Sequence, residues 1–149
     1  MFRRSIARAL VVLAALAGVV AIPSAAQAIP DPGDGGPYGP PCYSLSCDGY
    51  NPAEVGCDSD AWTAAYAHTP STPRAELRIS QRCKAAWARS VGYYYVKIER
   101  LDPPRIETAN ANFYTGQVWT RMVGMRGYKV RACYWNASSS GCTAWITFY

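Results

Sequence analysis

The chain counts 149 residues, 50% hydrophobic and 13% aromatic, with fifteen Lys and Arg against ten Asp and Glu. Three of the basic residues lie in an N-terminal leader that holds no acid, so the twelve and ten that remain leave a formal charge of only +2. So small an excess excludes a nucleic-acid-binding domain, which concentrates far more positive charge, and the length beyond the leader suffices for one domain.

In chain order, the leader comes first. Arg3, Arg4 and Arg8 precede an apolar stretch from Ala9 to Ile22, and Ala26-Gln27-Ala28 closes it. Basic, then apolar, then small-x-small is the pattern of a secretory signal peptide over residues 1–28, cleaved after Ala28. The apolar stretch falls short of the ~20 residues that span a bilayer, and no cysteine stands at the cleavage point to carry a lipid. The sequence thus predicts a secreted, extracellular protein with no membrane anchor after cleavage. Residues 29–41, IPDPGDGGPYGPP, are nearly all Pro, Gly and Asp and read as a flexible spacer. The folded domain is expected over 42–149.

The domain begins with a turn-rich loop, CDGYNPAEVGCDSDA, from Cys47 to Ala61. Asp48, Asn51, Asp58 and Asp60 could offer oxygens to calcium, with Gly49 and Gly56 allowing tight turns, although the spacing is not that of an EF-hand. The competing reading is a structural turn, because Asp, Asn, Gly and Pro dominate turns for conformational reasons alone. Asp60 could equally cap a short helical turn.

Strand patterns follow. Ala61 to Ala67 and Ala75 to Ser80 flank the turn formers TPSTP, and the second run alternates strictly, with Ala75, Leu77 and Ile79 on one face and Glu76, Arg78 and Ser80 on the other. Short stretches at Asp58 to Ala67 and Cys83 to Arg89 are compatible with helix and compete with strand. Tyr93 to Arg100 alternates again, Tyr94, Val96 and Ile98 in and Lys97 and Glu99 out, and Asp102-Pro103-Pro104 stops it. Gln117 to Val123, Tyr128 to Trp135 and Cys142 to Tyr149 are further β-rich runs, the last two separated by NASSSG. The prediction is a small all-β domain of about six or seven antiparallel strands, as a barrel or compact sandwich.

Cys42, Cys47, Cys57, Cys83, Cys133 and Cys142 form an even set in an exported chain, which reads as a disulfide framework with fifteen possible connectivities. Zinc requires Cys-x-x-Cys or histidine spacings that are absent here. Folding NASSSG as a turn brings Cys133 opposite Cys142, and facing strand positions lie within disulfide reach. The TPSTP hairpin brings Cys57 and Cys83 to its open end, and elimination pairs Cys42 with Cys47.

Candidate chemistry is sparse. His68, the single histidine, falls in the turn HTPSTP, a poor place to hold catalytic geometry. Glu76, Glu99 and Glu107 could serve a carboxylate-based hydrolase if two of them converged. The aromatic content offers a different function: Tyr93 and Tyr95 lie on the strand face opposite Val96 and Ile98, where exposed rings bind sugars or proteins. The expected molecule is a non-catalytic binding module for cell-wall polysaccharide or a protein ligand, with a hydrolase and a secreted enzyme inhibitor as alternatives, and no cofactor other than calcium.

Cys47-Asp48-Gly49, Asn51-Pro52, Gly56-Cys57, Asp60-Ala61 and Thr63 run on into Glu76-Leu77-Arg78 with Ser80 and Cys83, Trp87-Ala88-Arg89, Trp119-Thr120 with Met122, Ala132-Cys133 and Cys142-Thr143. On these residues the chain resembles a secreted bacterial family, mainly actinobacterial, called domain of unknown function 2690. The resemblance implies an exported, disulfide-bonded domain in which Cys57 and Cys83 recur together, and it implies no activity.

Overall fold

The computed structural model describes residues 40–69, 71–92, 94–110, 114 and 116–149. The leader, all but the last two residues of the spacer, and Tyr93 lie outside them. A single 3-10 turn, Ser44–Cys47, precedes nine strands. β1 (Trp62–His68), β2 (Pro73–Ser80), β3 (Ala85–Ser90) and β6 (Val123–Gly124) form one antiparallel sheet in that order. The second sheet runs β5 (Arg105–Ala109), β4 (Tyr95–Arg100), β7 (Lys129–Trp135), β8 (Ser140–Cys142), with the short β9 (Ile146–Thr147) also on β7. The sheets face each other without closing, so the domain is a sandwich, not a barrel.

The alternating runs explain the core between the sheets. Ala75, Leu77 and Ile79 of β2 and Ala86 and Ala88 of β3 meet Val96 and Ile98 of β4 and Val130, Ala132 and Tyr134 of β7 there. Each fully buried Leu or Ile contributes about 2 kcal/mol of hydrophobic stabilisation. Alanine dominates the β3 side, which lets the two sheets approach closely.

β3 corrects the helix-compatible reading of Cys83 to Arg89. Residues 85–90 pair in register with β2 along their whole length, Ala85 facing Ser80 and Ser90 facing Ala75. Local propensity is a weak prior, and tertiary pairing overrides it. Asp58 to Asp60 are turn, and β1 begins at Trp62, so the second helix-compatible stretch is not helical either. Gln117 to Val123 contributes only the Trp119–Arg89 bridge and the start of β6. β5 was not anticipated.

Strand β2 is also buried on both faces, where alternation predicted one. Ser80 is fully buried and Glu76 nearly so. The loop from Cys42 to Ala61 covers part of the outer face of the first sheet, and a second apolar cluster fills the space beneath it: Cys42, Cys47, Cys57, Cys83, Ala85, Trp87 and Met122. The loop is fastened by backbone hydrogen bonds, Ser44 N–H to Cys83 O at 2.8 Å, Gly49 N–H to Met122 O at 2.9 Å and Met122 N–H to Tyr50 O at 2.9 Å.

Three disulfides complete the domain: Cys42–Cys47, Cys57–Cys83 and Cys133–Cys142. They are the pairs expected from the two hairpins and by elimination. Cys133 and Cys142 stand directly opposite in the β7–β8 ladder, because the turn takes only residues 136–139 of NASSSG and Trp135 already pairs with Ser140. Asn136 makes that turn, its side-chain oxygen accepting from the backbone N–H groups of Ser138 and Ser139 at 3.0 and 2.8 Å. Among the described residues no helix is long and apolar enough to cross a membrane.

Candidate functional site

The loop with the candidate calcium oxygens is a structural tie. Both carboxylate oxygens of Asp48 accept from the Arg100 guanidinium, at 2.7 and 2.8 Å, and one of them also accepts from the Gly124 N–H at 2.7 Å. Asp60 accepts from the Ser80 hydroxyl at 2.6 Å and the Arg82 N–H at 2.9 Å; it joins the loop to the β2–β3 turn and caps no helix. The Asn51 side-chain oxygen accepts from the Ala53 N–H at 3.1 Å and from the Trp119 indole at 3.4 Å. Asp58 is exposed. Asp48, Asp58 and Asp60 do not gather their oxygens at one point. Among the described residues the sulfurs of Cys42, Cys47, Cys57 and Cys83 do lie within 4.8 Å of one another, but they are bonded as two disulfides and offer no thiolate.

The three glutamates occupy separate places. Glu76, on the outer face of the first sheet, accepts from Arg89 at 2.6 Å and from the Thr63 hydroxyl at 3.1 Å. Glu99, on the outer face of the second sheet, binds Lys97 at 2.6 Å and Arg131. Burial pushes its carboxyl up, but the hydrogen bonds and charges of Lys97 and Arg131 outweigh that and hold it below its ordinary value. Glu107 lies on the edge strand β5, paired with Arg105. No cleft joins two of these carboxylates, and each is matched to a cation of its own. His68 is exposed at the end of β1 with φ of 85°, and no side-chain partner orients it.

Tyr95 is half-buried on the outer side of the second sheet. Cross-strand neighbours share a face, so Tyr95 and Trp135, Lys97 and Cys133, and Glu99 and Arg131 all point outward from the second sheet. Val96, Ile98 and Ala132 point into the core. The Tyr95 and Trp135 rings stack, with centroids 5.5 Å apart and planes 17° from parallel. Further along, Trp145 lies against the Arg131 guanidinium at 4.4 Å, within cation–π range. A shallow depression of about 450 Å³ beside Trp135 is lined by Lys97, Thr108 and the Cys133–Cys142 bridge.

Alternation along one strand places Tyr95 on the outward face and says nothing of Trp135 or Trp145 beside it. Trp135 is Tyr95's partner across the β4–β7 ladder, forty residues downstream, and a signal confined to one strand cannot report that pairing. Tyr94, on the inner side, packs edge-on against Tyr134 at 5.3 Å.

No curated protein and no solved structure matches this chain. The match that exists is to a family model, and it spans the loop, the first sheet and the centre of the second. Residues 45–133 fit the family described as a protein of unknown function, DUF2690, and the chain belongs to that family.

Proposed function

We propose that this chain is a secreted, non-catalytic binding module that docks onto insoluble cell-wall polysaccharide through the outer face of its second sheet. The observation that carries the proposal is the stacked Tyr95–Trp135 pair, half-buried on the outward face of the second sheet. Aromatic rings on an outward sheet face suit the apolar sugar faces of a packed polymer, while Lys97 and Arg131 at the same face address the hydroxyls. Glu76, Glu99 and Glu107, each ion-paired and none sharing a cleft with another, favour binding over hydrolysis. Secretion is supported by the leader in the sequence and by three disulfides, which persist in oxidising compartments.

The test is co-sedimentation of the oxidised domain with purified cell walls and insoluble polysaccharides, with the supernatant assayed for released sugar or peptide. The protein is expected in the pellet with no release, and Trp135→Ala or Tyr95→Ala is expected to weaken pelleting about tenfold, the loss of roughly 1.4 kcal/mol. Release of sugar would replace the module with an enzyme. A wild-type protein that stays in the supernatant would remove polysaccharide as the ligand.

A further inference from the structure

On the other side of the sandwich stands Trp119, an exposed tryptophan in different surroundings. Trp119 bridges to Arg89, Arg89 pairs with Glu76, and Glu76 pairs with Tyr66. Paired residues share a face, so these four side chains form one transverse row on the outer face of the first sheet. At ~4.8 Å per strand the row is about 14 Å long. Tyr66 and Trp119 are exposed at its ends, and the Glu76–Arg89 ion pair at 2.6 Å lies between them.

Trp119 is 46% exposed yet firmly held. Its indole N–H donates to Asn51 in the covering loop at 3.4 Å. Its backbone neighbours are sewn to β3, Ser90 N–H to Val118 O at 2.7 Å and Thr120 N–H to Ala88 O at 2.9 Å. A ring fixed in this way loses little freedom when a ligand stacks on it.

The indole stands between two concavities. One, of about 260 Å³, is bounded by Pro52 and Asp58 of the loop and by Arg78, Trp87 and Arg89 of the sheet. The other, of about 370 Å³, is bounded by Asn51, Glu107, Thr108 and Arg121 toward the edge strand β5. The first is charge-balanced, since Glu76 neutralises Arg89 and Asp58 stands in the same cavity as Arg78. In the second, Glu107 already pairs with Arg105, and Arg121, which donates to the Gly49 carbonyl at 2.9 Å, adds a single positive charge. One exposed cation beyond the ion pairs gives the cleft too weak and too screened a field to select an anion. Its walls nonetheless carry both donors and acceptors, many in planar guanidinium, carboxylate and amide groups that can bridge neighbouring hydroxyls.

A pyranose ring answers to that description, with an apolar C–H face for the indole and a rim of hydroxyls that both donate and accept. We propose that the Trp119 cleft is a binding site for a single neutral polysaccharide chain, which crosses the indole and places sugar units in the concavities on either side. The site is separate from the outward face of the second sheet and differs in ligand form, a free chain and not a packed surface.

The test titrates the oxidised protein with soluble hexamers of neutral glucose, N-acetylglucosamine, mannose or xylose units, following tryptophan fluorescence and heat. An acidic and a basic sugar polymer serve as charged counterparts. At least one neutral hexamer is expected to bind, with an affinity that salt does not change. Trp119→Ala is expected to lower that affinity at least about tenfold. Trp119→Phe, which keeps a ring face, should retain most of it and guards against loss of the fold. Tyr149→Ala, which removes an exposed ring that lines neither concavity, should leave it unchanged, and the readout is a soluble hexamer, so this result stands apart from the pelleting experiment. No binding by any neutral hexamer overturns the proposal. So does a salt-sensitive preference for a charged polymer, or loss of binding with Trp135→Ala in place of Trp119→Ala.

Discussion

Arg100 is 4% exposed, and its guanidinium is satisfied on all sides. It donates to Asp48, to the Pro103 carbonyl at 2.7 Å and to the Gly124 carbonyl at 3.3 Å, and it lies 5.6 Å from the centre of the Tyr128 ring. A buried cation that loses its carboxylate keeps the full cost of desolvation, so Asp48→Ala is expected to destabilise the domain by about 3–5 kcal/mol. A thermal melt should show a fall of about 10 °C or more; a midpoint that does not move would mean that water replaces the carboxylate at no cost. Glu99 makes a prediction about pH. Its folded-state pKa is depressed, so as pH falls the unfolded chain takes up the proton first, near the ordinary glutamate value of about 4.3. The stability it contributes is complete above that pH and disappears as pH falls through the lower folded value. Glu99→Gln should therefore melt lower than the parent at neutral pH but lose less on acidification. Parallel curves of midpoint against pH would place the acid-sensitive groups elsewhere.

At the scale of elements, patterns within one strand were legible and pairings between strands were not. β2 and the end of β4 announced themselves by alternation, because a period of two is written into consecutive residues. The stretch KAAWARS, alanine-rich and compatible with helix, becomes β3 only because β2 lies along it. Gln117 to Met122 has β-rich composition, yet most of its backbone groups serve β3 and the covering loop in place of a regular ladder. The loop also depends on an element too short to read. Gly124 of β6 is the floor on which residues 44 and 45 rest: a Cβ there would come within 2.4 Å of the Ser44 carbonyl carbon and 2.5 Å of the Leu45 nitrogen. Backbone cannot yield as a flexible side chain can. Gly124→Ala is expected to displace the loop and cost several kcal/mol, on the order of the larger core substitutions, with protease cleavage between residues 42 and 61 as the readout. A variant as resistant as the parent would show that the loop finds another seat.

At the scale of the whole molecule, the described residues form two apolar clusters, one between the sheets and one beneath the loop, and three bridges close separations of 26, 9 and 5 residues. The chain-entropy model assigns about 3.5, 2.7 and 2 kcal/mol to them, about 8 kcal/mol together. That equals the entire net stability of many domains. The reduced protein is expected to be marginal or unfolded by circular dichroism at room temperature, and a midpoint unchanged by reductant would show that the two clusters suffice alone. By itself the sequence determined what depends on neighbours along the chain: the turns, the alternating strands, the even set of cysteines and the β class. Bridges across a single turn were within its reach, because equal distances from the turn place two residues opposite each other. Only the tertiary structure decided that Asp48 would meet Arg100, that Tyr95 would stack on Trp135 and that Trp119 would stand between two clefts. Those meetings join segments tens of residues apart, and their geometry follows from strand order and register, which the burial of both sheets against one core selects.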